Sequence, residues 1–270
     1  SCNIEDQVQK VDPTRIVNTG SRIVGGSTTT ILRYPFAVQV FMRDILICGG
    51  SLITRQMVLT SSTCLHGSEG LYPIFHFRVL AGATYSQYLS KEGKLTRVER
   101  LAVHEQYDIA ILRTVLRFTL GPRIGLAFIP SQDSELPDGS TLTHIGWGSR
   151  RVGSRNPSPV LYQVHMYKLN KEMCNILTEN MLCSGIPNVT GVGPCHRDEG
   201  APVLYDSNIV VGVTPWVANC GTRDYGVYTR VAKFTTWIDQ TVLYLNGSSS
   251  VSISRIILLV TLICTMLSAS

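Results

Sequence analysis

Charge is scarce in this chain of 270 residues: Asp, Glu, Lys and Arg make up 16% of it, the net charge is +5, and the basic residues are scattered without a long Lys or Arg run. That argues against a nucleic-acid role, which needs a concentrated basic face, and leaves only weak attraction to acidic glycans or membranes. No two of the eight cysteines stand as Cys-x-x-Cys, so no metal site is expected, and disulfides in an oxidising compartment are. No signal peptide is visible in these residues. With Ser1 rather than Met first, the expectation is a processed or trimmed start. Only Ile256 to Leu267 is apolar with hardly a break, and it falls short of the about 20 residues a spanning helix needs, without a basic flank.

A chain of this length could hold one large or two small domains, and an all-β double barrel of roughly 220–250 residues would count as one. Phe36 to Leu59 is rich in Val, Ile, Leu and Phe, broken by Cys48-Gly49-Gly50-Ser51, which predicts paired strands and a bend. Leu95 to Leu101 and Tyr107 to Leu112 also read as strands. Val231, Phe234, Ile238, Val242 and Leu245 recur at helical spacing, with Trp237 on the same face, and predict an amphipathic helix from Val231 to Leu245. Residues 1–22 are polar, contain Pro13 and Gly20, and read as a flexible leading segment.

Several separated motifs carry a resemblance. Cys48-Gly-Gly-Ser-Leu-Ile followed by Val58-Leu-Thr-Ser-Ser-Thr-Cys64, Asp108-Ile-Ala-Ile-Leu112, Gly146-Trp-Gly148, Pro215-Trp-Val217 and Gly193-Pro-Cys-His-Arg-Asp-Glu-Gly-Ala-Pro202 stand in the order of trypsin- and chymotrypsin-like serine proteases. The resemblance covers residues 23 to about 245. It implies an all-β fold of two six-stranded antiparallel barrels with a C-terminal helix, and no cofactor. Residues 122–139 then read as the crossing linker, and the basic stretch from Arg150 to Pro159 as an exposed loop.

At the positions that matter for catalysis the chain departs from that family. Glu199 stands where the family has the serine nucleophile, Thr63 where it has the histidine base, and Arg197 where a glycine N–H helps to form the oxyanion hole. Of the triad only Asp108 remains. A threonine hydroxyl does not titrate near neutrality, so it cannot relay the proton. The glycine-shaped backbone at 197 is expected to be lost with the glycine. Asp108, with Thr63 and Pro215 in place of the family's His and Ser donors, must recruit the Thr63 hydroxyl, backbone N–H groups or water, or be protonated part of the time. His66 and His196 read as solvated bystanders. Gly193 replaces the residue at the base of the primary pocket, Val217 narrows its mouth, and Gly226 keeps the opposite wall small.

Other parts of the resemblance survive. Arg22-Ile23-Val-Gly-Gly looks like an activation junction, with Arg15-Ile16 as a poorer copy; cleavage after Arg22 would free an Ile23 ammonium to pair with Asp198. The alternative is that Asp198 pairs with Arg197. The implied disulfides are Cys48–Cys64, Cys174–Cys183 and Cys195–Cys220. Cys2 is left for an intermolecular bond, because Phe128 stands where the family sometimes keeps a cysteine that ties the leading segment down. Asn188 and Asn246 head N-glycosylation tripeptides. Residues 246–270, small and polar and then apolar, read as a GPI-attachment signal with candidate sites at Asn246, Gly247 or Ser248, or as a short membrane anchor; in the first case Cys264 leaves with the tail.

The functional expectation is a non-catalytic extracellular homologue that binds a protein, such as an active protease or its substrate, with a lipid anchor as its link to a membrane. The alternatives are a hydrolase using Glu199 and Asp108, and a purely structural surface protein.

Overall fold

A computed structural model describes residues 7–11, 26–86, 91–150, 154–174, 178–189, 192–217 and 225–247. Its strands, in chain order, are β1 (Lys10–Val11), β2 (Ser27–Thr28), β3 (Ala37–Met42), β4 (Ile45–Leu52), β5 (Met57–Thr60), β6 (His66–Gly67), β7 (Gly70–Leu71), β8 (Phe77–Ala81), β9 (Lys94–Val103) and β10 (Ala110–Thr114). There follow β11 (Ile129–Pro130), β12 (Thr141–Gly146), β13 (Tyr162–Lys168), β14 (Met181–Gly185), β15 (Pro202–Tyr205), β16 (Ile209–Val213), β17 (Tyr225–Arg230) and one helix, α1 (Thr235–Leu245).

Six strands close into a first barrel in the order β10-β5-β4-β3-β8-β9. Its inner wall follows from β-branched and aliphatic residues that face inward, among them Val38, Val40, Val58, Val79 and Ile111, all buried, and such side chains fit a pleated, half-buried surface. A second ring, β12-β15-β16-β17-β14-β13, is closed by pairing of β12 with β13, and β2 is added outside β13. Leu142, Met166, Leu182, Val203, Val211 and Tyr228 fill it. The two barrels and the C-terminal helix are the fold the motifs imply.

Specific hydrogen bonds join the two barrels. Gly49 N–H donates to the Glu199 carbonyl at 2.8 Å, and Thr229 Oγ1 to the Asp108 carbonyl at 2.9 Å. Residues from both halves are thereby held face to face, and that seam is where the motifs converge.

Two expectations need correction. The helix begins at Thr235, not Val231; Val231–Lys233 form a tight 3-10 turn, and Phe234 leaves the helical region at φ −117°. Val231 and Phe234 are buried through that turn, so helical spacing alone placed them on a longer helix. Residues 7–11 of the leading segment are not loose: Lys10 and Val11 pair in parallel with Ile129 and Pro130 of β11, inside the crossing linker. The Arg150–Pro159 loop is exposed at Arg150, Arg155, Asn156 and Pro159, as expected, and at its far end buried Ser158 donates its N–H to the Trp147 carbonyl at 2.7 Å, while Arg150 stacks 3.4 Å above the Tyr162 ring.

Cys48–Cys64 and Cys174–Cys183 are bonded. Cys195 is also in a disulfide, and Cys220, its expected partner, lies outside the described residues. So do Arg22, Ile23, Cys2, Ser248 and the apolar tail. Among the described residues no helix is long and apolar enough to cross a membrane.

Candidate functional site

The seam brings Thr63, Asp108 and Glu199 to one place. Thr63 sits in a short 3-10 turn, Ser62–Leu65, that ends β5 and is held by the Cys48–Cys64 bridge. Asp108 lies just ahead of β10. Its Oδ1 accepts from Ser61 Oγ at 2.5 Å, Ser62 Oγ at 2.9 Å and Thr63 N–H at 2.9 Å. Its Oδ2 accepts from Thr63 Oγ1 at 2.9 Å and Trp216 N–H at 3.0 Å. The recruitment of the Thr63 hydroxyl and of backbone N–H groups was expected. Ser61 and Ser62 were missed, although two hydroxyls immediately before Thr63 were a visible signal. With both oxygens engaged as acceptors, Asp108 clamps the 61–63 turn of the first barrel to the 216 segment of the second.

Glu199 is buried, and its side chain turns back on its own loop. Oε2 accepts the Arg197 N–H at 2.7 Å, and the N–H groups of Glu199 itself and of Val217 also bear on the carboxylate. Burial pushes this carboxyl above its usual value, the three N–H groups pull it down, and the neighbouring Asp198 charge adds to the rise. The expected loss of glycine-shaped backbone at 197 is corrected here: Arg197 holds φ 77° despite its side chain. A left-handed non-glycine residue costs on the order of 1 kcal/mol, and the short bond from its N–H to Glu199 offsets that cost. The two departures from the motif thus fit each other, with the carboxylate lodged where the 197 and 199 N–H groups converge.

Asp198 faces the other way, into the second barrel. It is buried, and it accepts from Gly148 N–H at 2.8 Å and Cys195 N–H at 3.0 Å. A Cβ on Gly146 or Gly148 would stand 2.1 or 2.2 Å from its oxygens, which is why the Gly-Trp-Gly segment needs both glycines. Arg197 does not pair with it; the Arg197 Nε donates to the Arg155 carbonyl at 3.3 Å. Desolvation pushes the Asp198 carboxyl up to about 6 against the two N–H bonds.

In the same barrel His144 is fully buried, with Nε2 3.2 Å from Thr214 Oγ1, and desolvation lowers it to about 4. Thr214 Oγ1 donates to the Ala201 carbonyl, so it accepts from a neutral His144. These two groups oppose each other in pH. The folded-state value of Asp198 lies above its ordinary 3.8, so its contribution to stability falls as pH rises from about 4 to about 6. The value of His144 lies below its ordinary 6.5, so its contribution falls as pH drops from about 6.5 to about 4. Each amounts to about 3 kcal/mol. The natural chain should therefore show a shallow profile over this window, while His144→Gln should lose about 3 kcal/mol between pH 4 and 6, read from urea midpoints. A profile unchanged by the substitution would show that His144 does not titrate against Asp198.

Thr63 and Glu199 border a cleft of about 280 Å³ that also takes in Met42, Ile47, His66, Tyr72, Arg155, His196, Arg197 and Trp216. His66 and His196, set aside on sequence, both reach it. His66 Nδ1 lies 2.8 Å from the Ser62 carbonyl, which fixes its ring at the rim. On the pocket side, Gly193 keeps φ 143° with open space where a Cβ would go, and Val217 is half-buried. Gly226 is flanked tightly: a Cβ there would meet Tyr228 Oη at 2.5 Å and Pro194 Cδ at 3.0 Å. The small wall at 226 thus makes room for the protein's own tyrosine. Among the described residues no group of His, Cys, Asp and Glu is arranged to hold a metal ion.

The family model described as Trypsin matches residues 23–238. The chain belongs to the trypsin family. It is 32% identical over 237 residues to a trypsin of Phaedon cochleariae, covering 83% of this chain and 89% of that protein. It is 30% identical over 240 residues to transmembrane protease serine 5 of Homo sapiens, covering 82% of this chain and 52% of the relative. Among solved structures, human heparin binding protein superposes with a TM-score of 0.70 at 23% identity over 81% of this chain and 96% of the other, a likeness of fold. Trypsin-family membership fits the double barrel, the disulfides and the seam between barrels where the site lies.

Proposed function

We propose that this trypsin-family chain is a non-catalytic extracellular protein that works by binding. The observation that carries the reading is the Glu199 carboxylate held by the Arg197 N–H: the place where a reacting carbonyl oxygen would be stabilised is filled by the protein's own anion. With Thr63 at the base position and no hydroxyl nucleophile at 199, no group there can form the acyl intermediate or relay its proton. The alternative of a hydrolase run by Glu199 and Asp108 has less support, because Asp108 already accepts from five donors and Glu199 is bound by backbone N–H groups.

The partner in this reading is an extracellular protein, an active protease or its substrate, that meets the cleft or its rim. Disulfides support the compartment, as do exposed Asn188 and Asn246 as glycan sites. A lipid anchor at the small residues from Asn246 onward would hold the chain at the cell surface.

Cleavage after Arg22 acts as the switch. Thr28 pairs with Tyr162, Tyr162 with Gly146, and Gly146 faces the Asp198 carboxylate. Two strand spacings of about 4.8 Å separate Thr28 from Gly146, and the stretch from Ile23 to Thr28 spans up to about 17 Å when extended. An Ile23 ammonium can therefore reach the buried carboxylate, whose titration burial raises.

The test is a pull-down with the anchored, glycosylated protein in uncut and Arg22-cleaved forms, with partners identified by mass spectrometry. A partner retained only by the cleaved form supports the switch. Equal partners in both forms would make the junction a relic, and turnover abolished by Glu199→Gln would overturn the non-catalytic reading.

A further inference from the structure

The leading segment carries a second site, away from the cleft. The Gln9 carbonyl accepts the Ile129 N–H at 2.9 Å, and Lys10 and Val11 run parallel to Ile129 and Pro130. Lys10 Nζ forms an ion pair with Asp239 Oδ2 on α1. Val8 packs against the main buried core. The 128–130 segment is already paired on its other side, where Phe128 N–H donates to the Asn208 carbonyl and Val210 N–H to that of Phe128, both at 2.9 Å. Residues 9–11 therefore add a strand to an otherwise open edge.

The hold is made of weak parts. A half-buried valine, a parallel pairing only two residues long and an ion pair whose side chains are 40% and 33% exposed make a hold that solvent screening keeps small. Such contacts retain a segment that its own linker keeps at an effective concentration on the order of millimolar. They do not retain a free peptide, which must also give up translational and rotational freedom.

We propose that residues 8–10 are an intramolecular clasp on the edge of β11, and that a cut between Val11 and Gly26 opens this edge to an extended segment bearing an apolar residue two positions before a Lys or Arg. The backbone of such a segment meets the Ile129 N–H, its cation meets Asp239, and its apolar side chain takes the Val8 seat. Nothing in this depends on what the cleft binds.

The direct reporter is hydrogen exchange at the Ile129 amide in the full chain, carried in a Cys2→Ser background so that no disulfide retains the segment. Lys10→Glu should speed exchange there about 3- to 10-fold, and the charge swap Lys10→Glu/Asp239→Lys should bring it back to within about twofold. A tryptic nick confirmed by mass at Arg15 or Arg22 should speed it about tenfold or more. A synthetic peptide of residues 3–11 at about 1–5 mM should then restore protection, and its Lys10→Glu version should not. Exchange unmoved by the nick and by Lys10→Glu, or a swap that fails to restore it, overturns the clasp. A nicked chain that keeps its protection after gel filtration overturns the dependence on an unbroken chain.

Discussion

A Thr63→His/Glu199→Ser double variant should be labelled by a fluorophosphonate, whereas the natural chain, cut or uncut, should not. Most of the machinery around those two positions is already in place. Asp108 is fixed by Ser61, Ser62 and the Trp216 N–H, so an imidazole at 63 would find its orienting carboxylate where Thr63 Oγ1 now finds it. Arg197 already carries the left-handed backbone of the cradle. Removing the Glu199 carboxylate empties that cradle for an external oxygen. The double variant should react about 10²–10⁴-fold faster than Glu199→Ser alone, the usual contribution of a positioned general base. Labelling of the natural chain would sink the binding-protein reading. Labelling of neither variant would show that Arg197 keeps its backbone only while Glu199 holds it, since the same carboxylate that blocks the cradle also relieves its strain.

Asp108→Ala should be among the most destabilising single substitutions in the site. It strands three hydroxyls and two backbone N–H groups at the seam between the barrels. Some of these reach water, because Asp108 is only half-buried, so the expected loss is about 2–4 kcal/mol rather than the sum of five bonds. For a domain of this size that lowers Tm by roughly 5–15 °C. Asp108→Asn, which keeps one acceptor, should fall between. A neutral or stabilising Asp108→Ala would mean that the carboxylate is merely tolerated, and that its five donors find water equally well. This separates a structural aspartate from a leftover catalytic one, because the latter serves a histidine at the position where this chain has Thr63.

The family and its double barrel were legible in the sequence because the motifs are local: cysteine spacing, Gly-Trp-Gly and Asp-Ile-Ala fix short turns and strands whose order leaves little choice of topology. The same reading identified the substituted positions 63, 197 and 199 residue by residue. It misjudged what Arg197 would do, since a side chain that disfavours a positive φ in isolation adopts it when a carboxylate two residues on accepts its N–H. It also read residues 7–11 as loose, because polarity and Pro13 describe a segment alone and not the strand edge it meets at Ile129, over a hundred residues away. The motifs determined which residues stand at the family's catalytic positions. Only the tertiary structure decided that Glu199 fills the cradle, that Ser61 and Ser62 hold Asp108, and that His66 and His196 stand at the cleft, because each depends on through-space distances between elements that no sequence period encodes.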